Sequence, residues 1–306
     1  MKKNFWTLCM LIIITLFIAC NKEEQNTNNQ NSGNSNTENP GGGGSGAHHE
    51  YPNTADVIHN AVTDIDGNSY DAVRIGNQVW MAENLKTTRY ADGSSIPLGC
   101  TSSYTDPVRS LTEPYRYYPN GFSYNVDLYG YLYNWPAVMH GQNSSESNPS
   151  GVQGICPTGW HVPSNAEWTQ LFEYIVSVPE YLLPGSDGYH YLQGSEVKAL
   201  AATWSWDTAY TAYWWDNHYD QMHGLVGYEM QLNNATGFSA LAAGAGHELG
   251  KYAWFWSSFG KNLVIPSGVI DTCAWCFDID AYRCRDLGGG YELTSSKHSV
   301  RCLRDN

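Results

Sequence analysis

One amphipathic stripe restricts the fold of this chain more than any other feature. Four large apolar residues recur at the i, i+3, i+4 and i+7 spacing that forms one face of a helix. They are Trp168, Leu171, Phe172 and Ile175. Ser164 and Glu167 precede the stripe as an S-x-x-E capping box, in which each side chain satisfies a backbone N–H at the helix start. The sequence therefore predicts a helix that begins after Ser164 and ends before Pro179.

Cys156, His161 and Glu167 lie close together in the sequence and suggest a metal or catalytic centre as an alternative. Two observations oppose it: His161 has no second ligand at helical spacing, and the zinc-protease pattern H-E-x-x-H is absent. The helix cap accounts for Glu167 on its own. We therefore interpret this stretch as scaffold, with Cys156 fixing its start.

Short strands and turns surround the helix. Residues 62–81 alternate in polarity around Asp66-Gly67 and Gly76-Asn77, which predicts a three-stranded meander with two tight turns. A calcium loop is the alternative at Asp64, but the chain lacks the acidic pattern of an EF-hand. A second helix is predicted at 195–202 and a last strand at 299–304. The fold class is therefore α+β, with two helices, short antiparallel strands and long loops.

The beginning of the chain has the features of an export signal. Lys2 and Lys3 precede a mostly apolar run that ends at Ala19-Cys20, so residues 1–20 are predicted to be a lipoprotein signal peptide with Cys20 lipidated. A soluble signal peptide cleaved near Ala19 is the alternative, because Phe17 is an imperfect lipobox residue. Residues 21–50 are rich in Asn, Ser and Gly and predict a disordered tether.

The four residues after Cys20, Asn21-Lys22-Glu23-Glu24, resemble the acidic surface-export tag of Bacteroidetes lipoproteins. We therefore expect an outer-membrane lipoprotein, exposed at the cell surface and bound to the membrane through its lipid. Residues 51–306 then form a single domain. The chain carries a net charge of −14 without any Lys/Arg-rich run, which excludes nucleic acid as a partner.

Six cysteines remain after the signal peptide and Cys20 are set aside. They are Cys100, Cys156, Cys273, Cys276, Cys284 and Cys302. An even number in an exported chain favours disulfides, whose pairing the sequence leaves open. The C-x-x-C pair at 273 and 276 is also half of a zinc-knuckle pattern, so zinc is the alternative, but we assign no metal and no cofactor.

Aromatic and polar side chains alternate between residues 210 and 228 and suggest a ligand-binding segment. Aromatic faces pack against the C–H faces of sugar rings, while carboxylates and amides orient the hydroxyl groups. The favoured contacts are Trp214, Trp215, Asp216 and Tyr219. The alternative is that several of these rings belong to the core.

Six motifs occur in order along the chain. They are VTDIDGNSYDAVRIGNQVWMAENLKTTRYADG at 62–93, YGYLYNWPAVMHG at 129–141, GICPTGWHVPSNAEW at 154–168, ATGFSALAAG at 235–244, FWSS at 255–258 and SVRCLRD at 299–305. Together they resemble the Fibrobacter succinogenes major paralogous domain of secreted bacterial proteins. The sequence departs from that family at Lys297-His298, where a Gly-aromatic pair is common, and in an extra segment between 206 and 233.

The resemblance implies a C-type-lectin-like mixed fold, similar also to formylglycine-generating enzymes, in which the terminal strands pair and two helices flank them. It also implies that Cys156 and Cys302 form a disulfide. We expect a non-catalytic binding or adhesion domain for glycans or another cell-surface polymer. The alternatives are a structural envelope component without a ligand and a thiol-dependent oxidase that uses the cysteines between 273 and 284.

Overall fold

Three antiparallel sheets and four helices make up the described part of the chain. The computed structural model describes residues 52, 55–99, 108–184, 194–209, 222–245, 248–264, 270–282 and 289–305. The helices are α1 (Val126–Tyr129), α2 (Trp135–Met139), α3 (Asn165–Ser177) and α4 (Ser195–Lys198). Most of the regular structure is β, so the predicted α+β class is confirmed.

The largest sheet has five strands in the order β1-β2-β3-β10-β6. Its strands are β1 (Asp56–Thr63), β2 (Ser69–Ile75), β3 (Gln78–Met81), β6 (Trp160–His161) and β10 (Leu303–Arg304). A small sheet pairs β4 (Arg116–Tyr117) with β5 (Leu132–Tyr133). The third sheet contains β7 (Tyr252–Val264), β8 (Ile270–Asp280) and β9 (Gly289–Leu293). Strands β7 and β8 are longer than the short strands that the sequence predicted.

The predicted meander is present as β1, β2 and β3. Asp64 closes its first turn, because one carboxylate oxygen accepts from the backbone N–H groups of Asp66 and Asn68, each at 2.9 Å. The other oxygen accepts from the Tyr70 hydroxyl at 2.6 Å. Asp64 therefore has the turn-forming role that the sequence analysis favoured.

The last strand lies inside the five-stranded sheet. Leu303 of β10 pairs with Trp80 of β3 on one side and with His161 of β6 on the other. The first strand, β1, lies at the sheet edge, so β2 and β3 separate it from β10, and the terminal strands do not pair directly as the resemblance implied. Arg301, which is buried just before β10, fastens this arrangement by donating to the Met81 carbonyl of β3 at 2.9 Å.

Helix α3 begins as predicted, with both hydrogen bonds of the capping box between Ser164 and Glu167 present. Its buried Trp168 ring lies 4.6 Å from the Trp80 ring and 4.9 Å from the Phe277 ring, which joins the five-stranded and three-stranded sheets in one core. Among the described residues, no helix is both long enough and apolar enough to cross a bilayer.

Helix α4 ends at Lys198, four residues before the predicted end at Ala202. The carbonyls that would continue the helix are taken by another segment: Thr236 donates to the Ala199 carbonyl and Ala240 to the Leu200 carbonyl. Two short helices were not predicted. In α2, the Asn134 side chain caps the Ala137 N–H and Pro136 occupies the first turn, so a local signal was present.

Candidate functional site

The ligand-binding residues predicted from the sequence lie outside the described part of the chain. They are Trp214, Trp215, Asp216 and Tyr219. The residues that flank their segment are described. The Ala209 N–H donates to the Gly227 carbonyl at 2.8 Å, and the Gly227 N–H donates to the Ala281 carbonyl at 2.9 Å. The two ends of the segment therefore meet each other beside the end of β8.

A buried lysine fixes the C-terminal end of this segment. The Lys198 ammonium donates to the carbonyls of Leu225 at 2.9 Å and Tyr228 at 2.5 Å, and its side chain is fully buried. Because an ammonium group taken out of water loses its hydration, these carbonyl contacts are needed to hold it in the core. Lys198 thus joins the 225–228 backbone to α4 at a defined position.

A pair of aromatic rings lies on the surface of a different segment. Phe122 is 46% exposed and Tyr124 is 71% exposed, and their ring centroids are 5.2 Å apart at an interplanar angle of 19°. The two rings are therefore stacked, and most of the Tyr124 side chain remains exposed to solvent. We call Phe122 and Tyr124 the exposed ring pair. The sequence analysis did not single it out.

Two consecutive 3-10 turns, Pro119–Gly121 and Ser123–Asn125, position the exposed ring pair. Asn120 has a left-handed φ of 52°, which reverses the chain just before Phe122. The Asn125 side-chain amide donates to the Pro119 carbonyl at 2.9 Å and ties the two turns together. Pro119 is buried, so the turns are attached to the domain at their first residue.

Further aromatic residues flank these turns in the sequence. Tyr118 stacks on Tyr131 with 5.9 Å between the ring centroids, and the Arg116 guanidinium lies 5.2 Å from the Tyr131 ring centroid. These contacts connect the residue before the turns to β4 and to the residue before β5. The stacked rings of Tyr118 and Tyr131 therefore hold the N-terminal end of the segment that carries the exposed ring pair.

The exposed ring pair has the chemistry of a saccharide contact. A tyrosine face packs against the apolar C–H face of a sugar ring, and its hydroxyl is a donor and an acceptor. Ser123 is exposed on the second turn and Asp127 is exposed on α1, which follows it, and they supply a hydroxyl and a carboxylate that can orient sugar hydroxyl groups.

His161, which the sequence analysis interpreted as scaffold, is buried between two carboxylates. Its Nε2 lies 2.9 Å from Glu167 Oε1, and its Nδ1 lies 2.6 Å from Asp305 Oδ1. Burial disfavours the charged imidazole, but the hydrogen bonds and charges of Glu167 and Asp305 outweigh it and raise the pKa of His161 above the ordinary 6.5. Asp305 is distant in the sequence and gave no local signal for this contact.

The cysteines have different roles. Cys156 and Cys302 form the disulfide that the family resemblance implied. Cys276 instead carries a thiol, whose sulfur lies 3.4 Å from the Gly290 carbonyl oxygen, which corrects its assignment to a disulfide. The physical reason is its position on the core face of β8, beside Trp256. Cys20, Cys100 and Cys284 lie outside the described residues.

The geometry of β8 bears on the thiol oxidase and zinc alternatives. Cys273 and Cys276 are three residues apart in a strand, so their side chains point to opposite faces of the sheet and do not converge on one metal ion. Burial, with the charges of Glu292 and Asp278, raises the pKa of the Cys276 thiol well above its ordinary value. A thiol in such surroundings is a poor nucleophile at neutral pH.

His298 is buried in the core between two tryptophan rings. Its ring stacks on Trp254 with 5.3 Å between centroids and lies 4.4 Å from the Trp256 ring. Neither ring nitrogen has a hydrogen-bond partner. Burial lowers the pKa of His298 to about 3, although the Lys297 backbone nearby raises it slightly. His298 thus replaces the aromatic residue common in the family and packs as a neutral ring.

Among the described residues, no three His, Cys, Asp or Glu side chains are arranged to hold a metal ion. A search of curated proteins found no match to this chain, and neither did a search of solved structures. The family model described as the Fibrobacter succinogenes major domain matches residues 73–304. That match covers most of the chain, including the capped helix, the disulfide and the last strand. The chain therefore belongs to the Fibrobacter succinogenes major domain family.

Proposed function

We propose that this chain is a surface-exposed outer-membrane lipoprotein that presents a non-catalytic binding domain. Its ligand is a glycan or another cell-surface polymer. The lipid on Cys20 attaches the protein to the membrane, and the Asn/Ser/Gly-rich tether of residues 21–50 separates the domain from the bilayer. A flexible tether of this length spans about 30 Å on average.

The exposed ring pair carries this proposal. A ligand that covers an exposed tyrosine face removes apolar area from water, and aromatic residues are enriched where binding energy concentrates. Phe122 stacks on the Tyr124 ring, so little side-chain entropy is lost when a sugar packs on the exposed part of that ring. The segment with Trp214, Trp215, Asp216 and Tyr219 is proposed as a second contact region.

The ligand is expected to be repetitive and neutral. One open aromatic face contacts one sugar ring, so each site binds weakly and useful attachment requires many sites on the same polymer. Lipid-anchored copies on one membrane supply that multiplicity. The net charge of −14 disfavours strongly anionic polymers through long-range repulsion.

The binding test uses the protein displayed in multiple copies on vesicles and a panel of immobilised neutral polysaccharides. Replacing both rings, Phe122→Ala with Tyr124→Ala, should reduce retention on the bound polysaccharide at least tenfold. Val176→Ala with Leu232→Ala is the matched control, since these side chains are also exposed and apolar but lie elsewhere.

Undiminished retention of a folded Phe122/Tyr124 double variant would reject the exposed ring pair as the contact. The parallel variant, Trp215→Ala with Tyr219→Ala, then tests the second region. If the parent protein binds no polysaccharide in the panel and no cell surface, the structural envelope alternative is favoured.

The anchor is tested separately from binding. Cys20→Ala removes the acceptor of the lipid, and we expect an unprocessed or soluble product instead of a membrane-bound one. Unchanged partitioning of this variant into the membrane fraction would contradict lipidation at Cys20.

A further inference from the structure

His161 lies at the point where the end of the chain meets the start of α3. It is on β6, 3% exposed, and β6 pairs with β10, which Asp305 directly follows. One ring nitrogen faces Glu167 and the other faces Asp305, at 2.9 Å and 2.6 Å. Both distances are those of charge-assisted hydrogen bonds.

The number of protons at this site follows from the bonding. A neutral imidazole has one N–H, whereas two ionised carboxylates offer only acceptors. The other oxygen of Glu167, Oε2, accepts from the Ser164 N–H at 2.9 Å and from the Ser150 N–H at 3.3 Å. The Asp305 side chain is half exposed. Between two such acceptors, two hydrogen bonds from His161 require both ring nitrogens to be protonated.

We propose that protonated His161 is a clasp that joins the C-terminal segment at Asp305 to the first turn of α3, and that this clasp opens when His161 loses its proton. Among the described residues, the ionisable groups that face His161 are Glu167 from α3 and Asp305 after β10. Arg304, the nearest basic residue in the sequence to Asp305, lies opposite Trp160 in the β10–β6 pairing.

The two carboxylates respond differently to loss of the proton. Glu167 is buried and is held by the backbone of Ser164 and Ser150, so it keeps the single remaining N–H of His161. The Asp305 side chain is 55% exposed and can turn into water. Opening is therefore confined to the segment after β10, where the Asp305 N–H donates to the Gly159 carbonyl at 3.0 Å. The Cys156–Cys302 disulfide keeps the strand itself in place.

The direction of the pH effect follows from the raised pKa of His161. The clasp contributes fully to stability at pH values below the unfolded-state pKa of 6.5, and its contribution is lost as the pH rises through the higher folded-state pKa. The segment at Asp305 is therefore fastened near pH 6.5 and is loosened as the pH rises through the folded-state pKa of His161.

The test is an NMR titration of the full chain with ¹⁵N-labelled histidine. In the parent protein, both ring nitrogens of His161 should be protonated at pH 6.5, and the residue should titrate above that value. In Asp305→Asn, the titration of His161 should move down by about one pH unit because one partner charge is removed. Asp92→Asn is the control, since exposed Asp92 lies 3.7 Å from His140 and its change should leave His161 unmoved.

A second readout follows the end of the chain. The heteronuclear NOE of the Asp305 amide should fall as the pH rises through the His161 titration in the parent, and it should be low at all pH values in His161→Gln. A neutral His161 at pH 6.5, or an Asp305→Asn variant with an unchanged titration, would overturn the proposal. Asp305 is near the surface, so its variant is expected to fold, and unchanged amide shifts in the core verify this.

Discussion

Replacing His298 with phenylalanine should stabilise the domain, and more so in acid. The imidazole is 1% exposed, and both of its nitrogens lack hydrogen-bond partners between Trp254 and Trp256. A buried polar atom without a partner costs about 1–3 kcal/mol. Phenylalanine fills the same space without polar atoms, so His298→Phe should raise the free energy of unfolding at pH 7 by roughly 1–2 kcal/mol after a small cost for its larger ring.

The pH dependence gives the sharper magnitude. The pKa of His298 is lowered from 6.5 to about 3, so between these values the unfolded chain binds a proton that the folded chain does not. The stability of the parent protein therefore falls as the pH drops below 6.5. Each pH unit contributes about 1.4 kcal/mol, so at pH 4.5 the penalty is roughly 2–3 kcal/mol. The variant lacks this penalty.

The assay is urea unfolding of parent and variant at pH 7 and pH 4.5 under oxidising conditions. The stability difference between the two proteins should grow by roughly 2–3 kcal/mol from the first pH to the second. The same exchange at His59, whose side chain is 69% exposed, controls for loss of a histidine at the surface. If the difference in free energy of unfolding between parent and variant were the same at both pH values, the reasoning would be refuted. The folded and unfolded chains would then take up the same number of protons between pH 7 and pH 4.5, so His298 would be protonated in the folded state in acid.

Three further predictions concern stability and are measured by the same unfolding assay. Ser164→Ala should cost about 1 kcal/mol, because the Glu167 N–H loses its cap, and no loss would contradict the role of the capping box. Trp168→Ala should cost about 3–5 kcal/mol through a cavity between the sheets, and a cost below that of Ser164→Ala would argue against its central place in the core. Replacing Cys156 and Cys302 with alanine should cost up to about 5 kcal/mol, since the bond closes a loop with a sequence separation of 146 residues, and an equal stability would show that the bond constrains little.

The elements predicted well from the sequence are those specified by neighbouring residues. The capping box at Ser164, the stripe that follows it and the turns of the meander are all local signals, and all three features are present in the structure. The β7–β8 hairpin was missed because β7 contains an irregularity between Trp256 and Gly260. Such a bulge interrupts the alternation of polar and apolar residues by which a strand is recognised.

The candidate site was less accessible to prediction. The exposure of Phe122 and Tyr124 depends on how the 3-10 turns rest on Tyr118, and tyrosine and phenylalanine are as common in cores as on surfaces. His161 and Asp305 are separated by 144 residues, so their contact depends on the completed sheet. The role of His298 as a neutral ring likewise follows from two tryptophans of a different strand.

The central place of β10 in its sheet has a consequence for export. The strand that separates β3 from β6 comes after residue 300, so β6 has no partner in this sheet until almost all of the matched family region has been synthesised. Arg301 and Cys302 directly precede this strand, so the buried guanidinium and one half of the disulfide are also supplied by the last residues of the matched region. For the export that we propose, this order would keep the five-stranded sheet incomplete until nearly the whole domain is available, and an oxidising compartment would then allow the bond between Cys156 and Cys302 to form.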